Sequence, residues 1–314
     1  MTEYRKIKKV FKSKATLEGA GVHLKRAFGF HEVKMFDPFL LLDDFRSNNP
    51  DQYLKGFPWH PHRGIETITY VLKGNVEHGD SMGNSGTISS GDIQWMTAGS
   101  GIIHQEMPKG DDSGGMYGFQ LWANLPKTHK MMDPRYQDVK SSQVPEVTRE
   151  NGTKIRVVAG EVDGVKGPVT DVVAGPQYFD VMLPANTEFV FPTTKGNTLI
   201  AYVIEGKGYF TREKDLFTYE IEGNGSSEPK AHAPLVQTSE QKQIIDNESL
   251  VLFEDGEAVQ VTTADDSVRF LLFSGKPIGE PIAWYGPIVM NHDGELRQAF
   301  EELDKGTFVK KHNV

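Results

Sequence analysis

Eleven residues, Gly64-Ile65-Glu66-Thr67-Ile68-Thr69-Tyr70-Val71-Leu72-Lys73-Gly74, recur 132 positions later as Gly196-Asn197-Thr198-Leu199-Ile200-Ala201-Tyr202-Val203-Ile204-Glu205-Gly206, with five identities. Each copy is a β-branched and aromatic run that ends on a glycine and leads into a second run, from Val76 in one and Tyr209 in the other. Such side chains pack well on a pleated surface, and glycine supplies the freedom a tight turn needs, so each copy reads as strand, turn, strand. A shorter echo, Gly91-Asp92-Ile93-Gln94 with Gly256-Glu257-Ala258-Val259, follows in the same order. A chain that repeats its strands in this way is expected to fold as two β-domains derived from one unit.

The rest of the sequence has the same texture. Its 32 glycines and 17 prolines fall between short runs such as Thr67-Ile68-Thr69-Tyr70-Val71-Leu72, Asp92-Ile93-Gln94-Trp95-Met96, Tyr178-Phe179-Asp180-Val181-Met182-Leu183 and Val268-Arg269-Phe270-Leu271-Leu272-Phe273. One segment differs: in residues 293–303, Leu296, Phe300 and Leu303 recur at helical spacing, behind Asp293 as the expected N-cap and ahead of Gly306 as a stop. The expectation is an all-β chain with a short C-terminal helix. The polar stretch 138–151 is the expected boundary, giving domains over 1–140 and 150–314. Two stretches read as less ordered, Gly110-Asp111-Asp112-Ser113-Gly114-Gly115 and the polar run 222–247, the second as a surface insertion.

Composition excludes several classes of function. There is no cysteine, so disulfide scaffolds, cysteine-ligated zinc or iron–sulfur sites and thiol catalysis are out, and any metal must be held by His and carboxylate. With 34 Lys+Arg against 43 Asp+Glu the net charge is −9, the wrong sign for broad contact with nucleic-acid phosphates. The opening residues are charged, and the densest apolar run, Phe39-Leu40-Leu41-Leu42, stops at Asp43. Neither a secretory signal nor a membrane span is expected, and the cytoplasm is the expected location.

The chemistry concentrates in two short segments. Phe57-Pro58-Trp59-His60-Pro61-His62-Arg63-Gly64 places two imidazoles two residues apart, on one face of an extended chain, with Pro61 favouring that conformation. Gly99-Ser100-Gly101-Ile102-Ile103-His104-Gln105-Glu106 offers a second i, i+2 pair. If the two are neighbouring strands, His60, His62, His104 and Glu106 converge as an N₃O set that suits Fe(II), Mn(II), Ni(II), Cu(II) or Zn(II) better than Ca(II). On an octahedral ion, four such ligands leave two positions for a chelating substrate or for substrate and O₂. A lone His-x-His is more often surface or hydrogen-bonded core than a metal site; the second pair changes that balance. The repeat supplies a control: an offset of 132 carries His60 and His62 to Pro192 and Thr194, and Glu66 to Thr198, so the strand pattern itself does not require histidine. Glu66 reads equally as an outward strand residue or as support for the ligands. Phe57 and Trp59 are candidate pocket walls, with ordinary core as the simpler reading. His23, His31, His78, His129, His232, His292 and His312 stand alone.

His60-Pro61-His62-Arg63-Gly64-Ile65-Glu66-Thr67, followed by Gly91-Asp92-Ile93-Gln94-Trp95-Met96-Thr97-Ala98-Gly99-Ser100-Gly101-Ile102-Ile103-His104-Gln105-Glu106-Met107, resembles the pirin family. The similarity extends to Asp37-Pro38-Phe39-Leu40-Leu41-Leu42-Asp43, Gly118-Phe119-Gln120-Leu121-Trp122 and Gly286-Pro287-Ile288-Val289-Met290-Asn291, and so covers most of the chain. The resemblance implies a bicupin, two stacked cupin β-barrels of jelly-roll type, with one mononuclear iron in the N-terminal barrel held by the residues corresponding to His60, His62, His104 and Glu106. Two features depart from the general cupin pattern. Glu66 sits where other cupins often place their carboxylate ligand, while Glu106 follows the pirin pattern, and the proline that usually precedes the last histidine is absent, with Gly99 nearest.

Activities within that family diverge. The first expectation is a quercetinase, an oxidoreductase in which the metal chelates the 3-hydroxyl and 4-keto oxygens of a flavonol such as quercetin and Glu106 is both ligand and base, with O₂ as co-substrate. The alternative is a non-catalytic iron-binding regulator that meets a protein partner, a transcriptional co-regulator or a modulator of a metabolic enzyme; Arg63 is then a candidate to carry the metal's charge to a surface, with an ordinary strand-end arginine as the simpler reading. A sugar isomerase would need a further acid–base pair that the sequence does not offer.

Overall fold

The computed structural model describes residues 2–173, 175–211, 220–222 and 244–310; of the stretch read as an insertion, 223–243 lies outside the described residues. Strands dominate, and the four runs singled out above fall in the strands Ile65–Lys73, Ile93–Thr97, Gln177–Leu183 and Val268–Gly275. The Gly110–Gly115 stretch is a compact turn, because the Asp111 carboxylate accepts from the backbone N–H groups of Ser113 and Gly115.

The chain divides into two compact units, each discontinuous in sequence. One contains Met1–Lys14, Val144–Thr170 and Gly175–Pro277; the other contains Ala15–Gln143, Asp171–Ala174 and Ile278–Val314. These bounds differ from the consecutive stretches 1–140 and 150–314 because each terminus completes the other unit's structure. The strand Ile7–Lys12 pairs with Ser249–Phe253, Val10 opposite Val251, and its Ile7 and Val10 join that core. Arg5, 2% exposed, anchors it by donating to Thr193 Oγ1 and to the carbonyls of Thr194, Asn197 and Glu254.

In the 15–143 unit a seven-stranded sheet runs Arg135–Val139, Ile93–Thr97, Ile65–Lys73, Tyr117–Asn124, Phe39–Asp44, Val22–Phe28, Lys14–Glu18, and a four-stranded sheet runs Phe57–His62, Ile102–Lys109, Asn75–Asp80, Ser85–Ile88. Val22, Leu24 and Val71 of the first share one core with Val76 and Ile88 of the second. The 144–277 unit repeats the plan: Thr198–Gly208 lies between Ser249–Phe253 and Val268–Gly275, as Ile65–Lys73 lies between Ile93–Thr97 and Tyr117–Asn124. The long repeat therefore marks equivalent strands. The short echo does not: Gly91 leads into Ile93–Thr97, which pairs with the central strand, whereas Gly256 leads into Ala258–Thr262, which pairs with Glu188–Pro192. By topology Ala258–Thr262 and Glu188–Pro192 correspond to Ile102–Lys109 and Phe57–His62. They send Phe189, Phe191, Val259 and Val261 into the core.

The C-terminal helix is Asp293–Asp304, but its N-cap is His292 instead of Asp293, because the Glu295 carboxylate reaches back to accept from the N–H groups of His292 and Asn291. A second helix, Val33–Phe36, has only four residues and no periodicity to betray it. Among the described residues no helix is long and apolar enough to cross a membrane.

Three residues fasten the 278–310 segment to the 15–143 unit. Gly64, at φ +77°, lets the Val289 carbonyl approach to where a Cβ would stand 2.0 Å away. Arg63 donates to the Ser100 carbonyl at 2.7 Å, the Glu302 carboxylate at 2.7 Å and the Phe308 carbonyl at 2.9 Å. Lys130 donates to the carbonyls of Gly64 and Val289 and to Asn124 Oδ1 at 2.9, 3.0 and 2.5 Å. Burial pulls the Lys130 ammonium from 10.5 down to about 7, against the pull of Glu280 and Glu295. The native group thus releases its proton at lower pH than the unfolded one, the unfolded chain binds more protons between these values, and stability rises with pH there, by at most ~1.4 kcal/mol per unit. Urea midpoints taken between about pH 7.5 and 9.5 should climb for the native chain and stay flatter for Lys130→Met; equal slopes would show that the ammonium stays charged in its cage of acceptors.

Candidate metal centre

His60 and His62 project from Phe57–His62, and His104 from the antiparallel neighbour Ile102–Lys109, where it stands opposite His60. The period of two puts all three rings on one face, with centroids 4.4 to 5.0 Å apart and one ligand nitrogen from each within 4.8 Å of the others. Carbonyls fix two tautomers: His60 Nδ1 donates to the Pro58 carbonyl at 2.8 Å and His62 Nδ1 to the Pro287 carbonyl at 3.1 Å. The two Nε2 lone pairs are thereby turned toward each other at 3.0 Å, an arrangement a shared cation relieves. Both ring nitrogens of His104 are buried without a partner. Burial, then the neighbouring imidazoles, hold His62 and His104 well below the usual histidine range, so both offer lone pairs at neutral pH. The residues present fit a divalent transition metal.

Glu106 follows His104 by two residues on the same face and is 3% exposed. Its carboxylate is engaged by Thr69 Oγ1 at 2.9 Å and Gln120 Nε2 at 2.8 Å, outside the three-histidine cluster that forms among the described residues. Trp122 Nε1 donates to Gln120 Oε1 at 2.9 Å, which fixes the direction of that amide. Glu66 supports none of these groups: odd spacing puts it on the opposite face from Thr69, where it accepts from Thr97 Oγ1 at 2.8 Å and burial pushes its carboxyl up. His78, read as standing alone, lies opposite Glu106 on Asn75–Asp80, with Nδ1 buried and unpartnered.

A cavity of about 620 Å³ opens onto His60 and His62. Phe57 lines it as expected; Trp59, between Pro58 and His60 and facing away from the histidines, does not and is 55% exposed, while the register slips between the His60–His104 and Phe57–Glu106 pairs and so frees Phe57 from that alternation. Its aromatic walls are instead Trp122, edge-on to His62 at 5.0 Å, and Trp284, 5.9 Å from Trp122 and carried by the C-terminal segment. Sequence reasoning gave no role to Gln120, Trp122, Trp284 or Pro287. The first two carried a signal, because their spacing places both on one face of Tyr117–Asn124. Pro287 acts through its carbonyl and carries none.

The family model described as Pirin matches residues 21–123, and that described as the pirin C-terminal cupin domain matches 178–309. A pirin-like protein of Caulobacter vibrioides is 39% identical over 305 residues, 97% of this chain and 99% of that protein. Among solved structures, a quercetin 2,3-dioxygenase from Acinetobacter baumannii is 28% identical with a TM-score of 0.81, over 97% of this chain and 98% of that one. The Escherichia coli pirin YhhW in complex with nickel(II) shares the fold, with a TM-score of 0.59 at 21% identity over 85% and 98% of the two chains.

A ligand bound only by the native state stabilises it by mass action, ~4 kcal/mol at a thousandfold excess over Kd. Added Ni(II) or Fe(II) should therefore raise the thermal midpoint of the unaltered chain, reversibly with EDTA, and leave that of the His60→Ala, His62→Ala variant in place. An equal rise in both would place the metal elsewhere.

Proposed function

This chain belongs to the pirin family, and from that premise we propose that it is a metal-dependent dioxygenase acting in the cytoplasm on a flavonol such as quercetin, with O₂ as co-substrate. His60, His62, His104 and Glu106 would hold the ion, Fe(II) first, with Mn, Ni, Cu and Zn also suited to the donor set. A bound ion would act there as a Lewis acid, acidifying the 3-hydroxyl of a substrate chelated through that oxygen and the 4-keto oxygen.

The chain's own residues supply the rest. Glu106 accepts the hydroxyl proton, and Thr69 and Gln120, each within 2.9 Å of it, orient the carboxylate. Trp122, Trp284 and Phe57 offer flat apolar walls to a planar ring system beside the imidazoles. The observation that carries this reading is the cavity itself: its volume of about 620 Å³ is in the range of small-molecule sites, it is walled by aromatics, and it ends on two of the three converging histidines.

A regulatory reading draws on Arg63. Instead of reaching a surface, this residue is 2% exposed and ties the strand end beside His62 to Glu302 on the C-terminal helix. Through it, a change at the imidazoles has a direct mechanical route to a helix that a protein partner could meet.

Oxygen consumption by metal-reconstituted protein, followed with loss of flavonol absorbance, separates the two. Turnover is expected for the native chain, a loss of ~100-fold or more for Glu106→Gln, and none for the His60→Ala, His62→Ala variant. Stoichiometric metal without turnover would overturn the dioxygenase and leave the partner-binding module.

A further inference from the structure

Four strands of the larger sheet each contribute one polar residue to a single transverse row. Thr69 stands opposite Gln120, Gln120 opposite Asp43, and Asp43 opposite Arg26, on Ile65–Lys73, Tyr117–Asn124, Phe39–Asp44 and Val22–Phe28. Residues directly opposite in an antiparallel pair share a face. The row starts at Glu106, which Thr69 and Gln120 hold, and ends at Glu18, whose carboxylate meets Arg26 Nη1 at 2.9 Å. Gln120, Asp43, Arg26 and Glu18 all line the cavity. From Gln120 through Asp43 to Arg26 is two strand spacings, ~10 Å, more than one aromatic ring spans.

The charges along the row have a definite sense. Arg26 spends its fork on carboxylates: Nε and Nη2 donate to the two oxygens of Asp43 at 2.8 and 2.7 Å, and Nη1 faces Glu18. Two carboxylates against one guanidinium leave a net negative wall, its one guanidinium already committed to those carboxylates. Each carboxylate oxygen keeps lone pairs beyond those that Arg26 uses, so the wall can still accept from a ligand. Asp43 does so from a nearly dry position, its side chain 9% exposed against 41% for Glu18, where a hydrogen bond is worth most and an unmet anion is repelled most.

We propose that this row determines substrate specificity: Asp43, supported by Arg26 and Glu18, accepts hydrogen bonds from hydroxyl groups on the ring farthest from the chelating oxygens, and so selects neutral polyhydroxylated aromatics over anionic conjugates. The inference rests on the flavonol reading of the cavity and names which flavonols it takes. Asp43 and Arg26 pair across adjacent strands, so the selectivity is built into the register of the sheet and needs no loop movement.

The test is binding without turnover. Quenching of tryptophan fluorescence, with Trp122 and Trp284 in the cavity walls, is titrated under anaerobic conditions with galangin, kaempferol, quercetin and quercetin-5′-sulfonate, which differ in hydroxylation and charge on that ring. Affinity should rise about tenfold or more from galangin to quercetin and fall about tenfold or more from quercetin to the sulfonate. Asp43→Asn, matched in shape, should compress both ratios to about threefold or less. If Asp43→Asn does not fold, Glu18→Gln at the exposed end of the row should still weaken discrimination against the sulfonate. Equal affinity for all four compounds, or ratios unchanged in the variants, overturns the proposal while leaving the flavonol reading in place. Binding of none of them overturns both.

Discussion

The pairing of Phe57–His62 with Ile102–Lys109 is the constraint from which the centre follows. His104 opposite His60 and Ile102 opposite His62 place three rings on one face, and a slip of one residue would turn one strand's ligands to the other side. Several neighbours hold that register. Beyond His62 the chain turns at Gly64, whose N–H donates to the Gly99 carbonyl at 2.8 Å, immediately before the strand that carries His104. On its other edge Ile102–Lys109 continues into Asn75–Asp80, with Glu106 opposite His78. Pro61 contributes the extended backbone on which His60 and His62 share a side.

Register alone would leave the rings free to turn. The His62 ring is fixed by a carbonyl 225 positions away in sequence, that of Pro287, so the centre is complete only when the C-terminal segment folds back onto the 15–143 unit. Arg63 and Lys130 make that return stable, and both work by donating to backbone carbonyls. The same segment brings Trp284 to the cavity wall. Formation of the site thus depends on docking of the tail, and a lesion at Arg63 or Lys130 acts on ligand geometry as well as on stability.

How much of this was legible in the sequence depends on what kind of signal each feature leaves. Strand periodicity, the repeat around Tyr70 and Tyr202, and the two i, i+2 pairs at His60–His62 and His104–Glu106 are local patterns, and the structure displays them where they were read. The exchange of termini between units left no such mark, since Ile7–Lys12 reads like any strand until Val251 is known to lie opposite Val10. The Gly91 and Gly256 echo misled because four residues of turn and strand entry look alike whichever neighbour the strand pairs with. Trp59 misled because an aromatic beside two ligands suggests a wall, while alternation had already assigned it outward. Pro287 contributes a carbonyl, and the polar row from Thr69 to Arg26 exists only through three cross-strand registers, so neither could be read from spacing.

The duplicated unit shows what the site gives up in stability. In the 144–277 unit the strands equivalent to the histidine pair carry Phe189, Phe191, Val259 and Val261 and close their interior with apolar contacts. In the 15–143 unit the same strand pair buries imidazoles instead, two of whose nitrogens, both on His104, meet no partner. Each unmet buried group costs ~1–3 kcal/mol, and an open cavity forfeits the packing that the phenyl rings supply in the other unit. The topology tolerates either filling, so it does not explain the histidines. The three converging histidines fit a divalent ion, and an ion held there would turn their lone pairs into ligands and add its binding free energy to the native state.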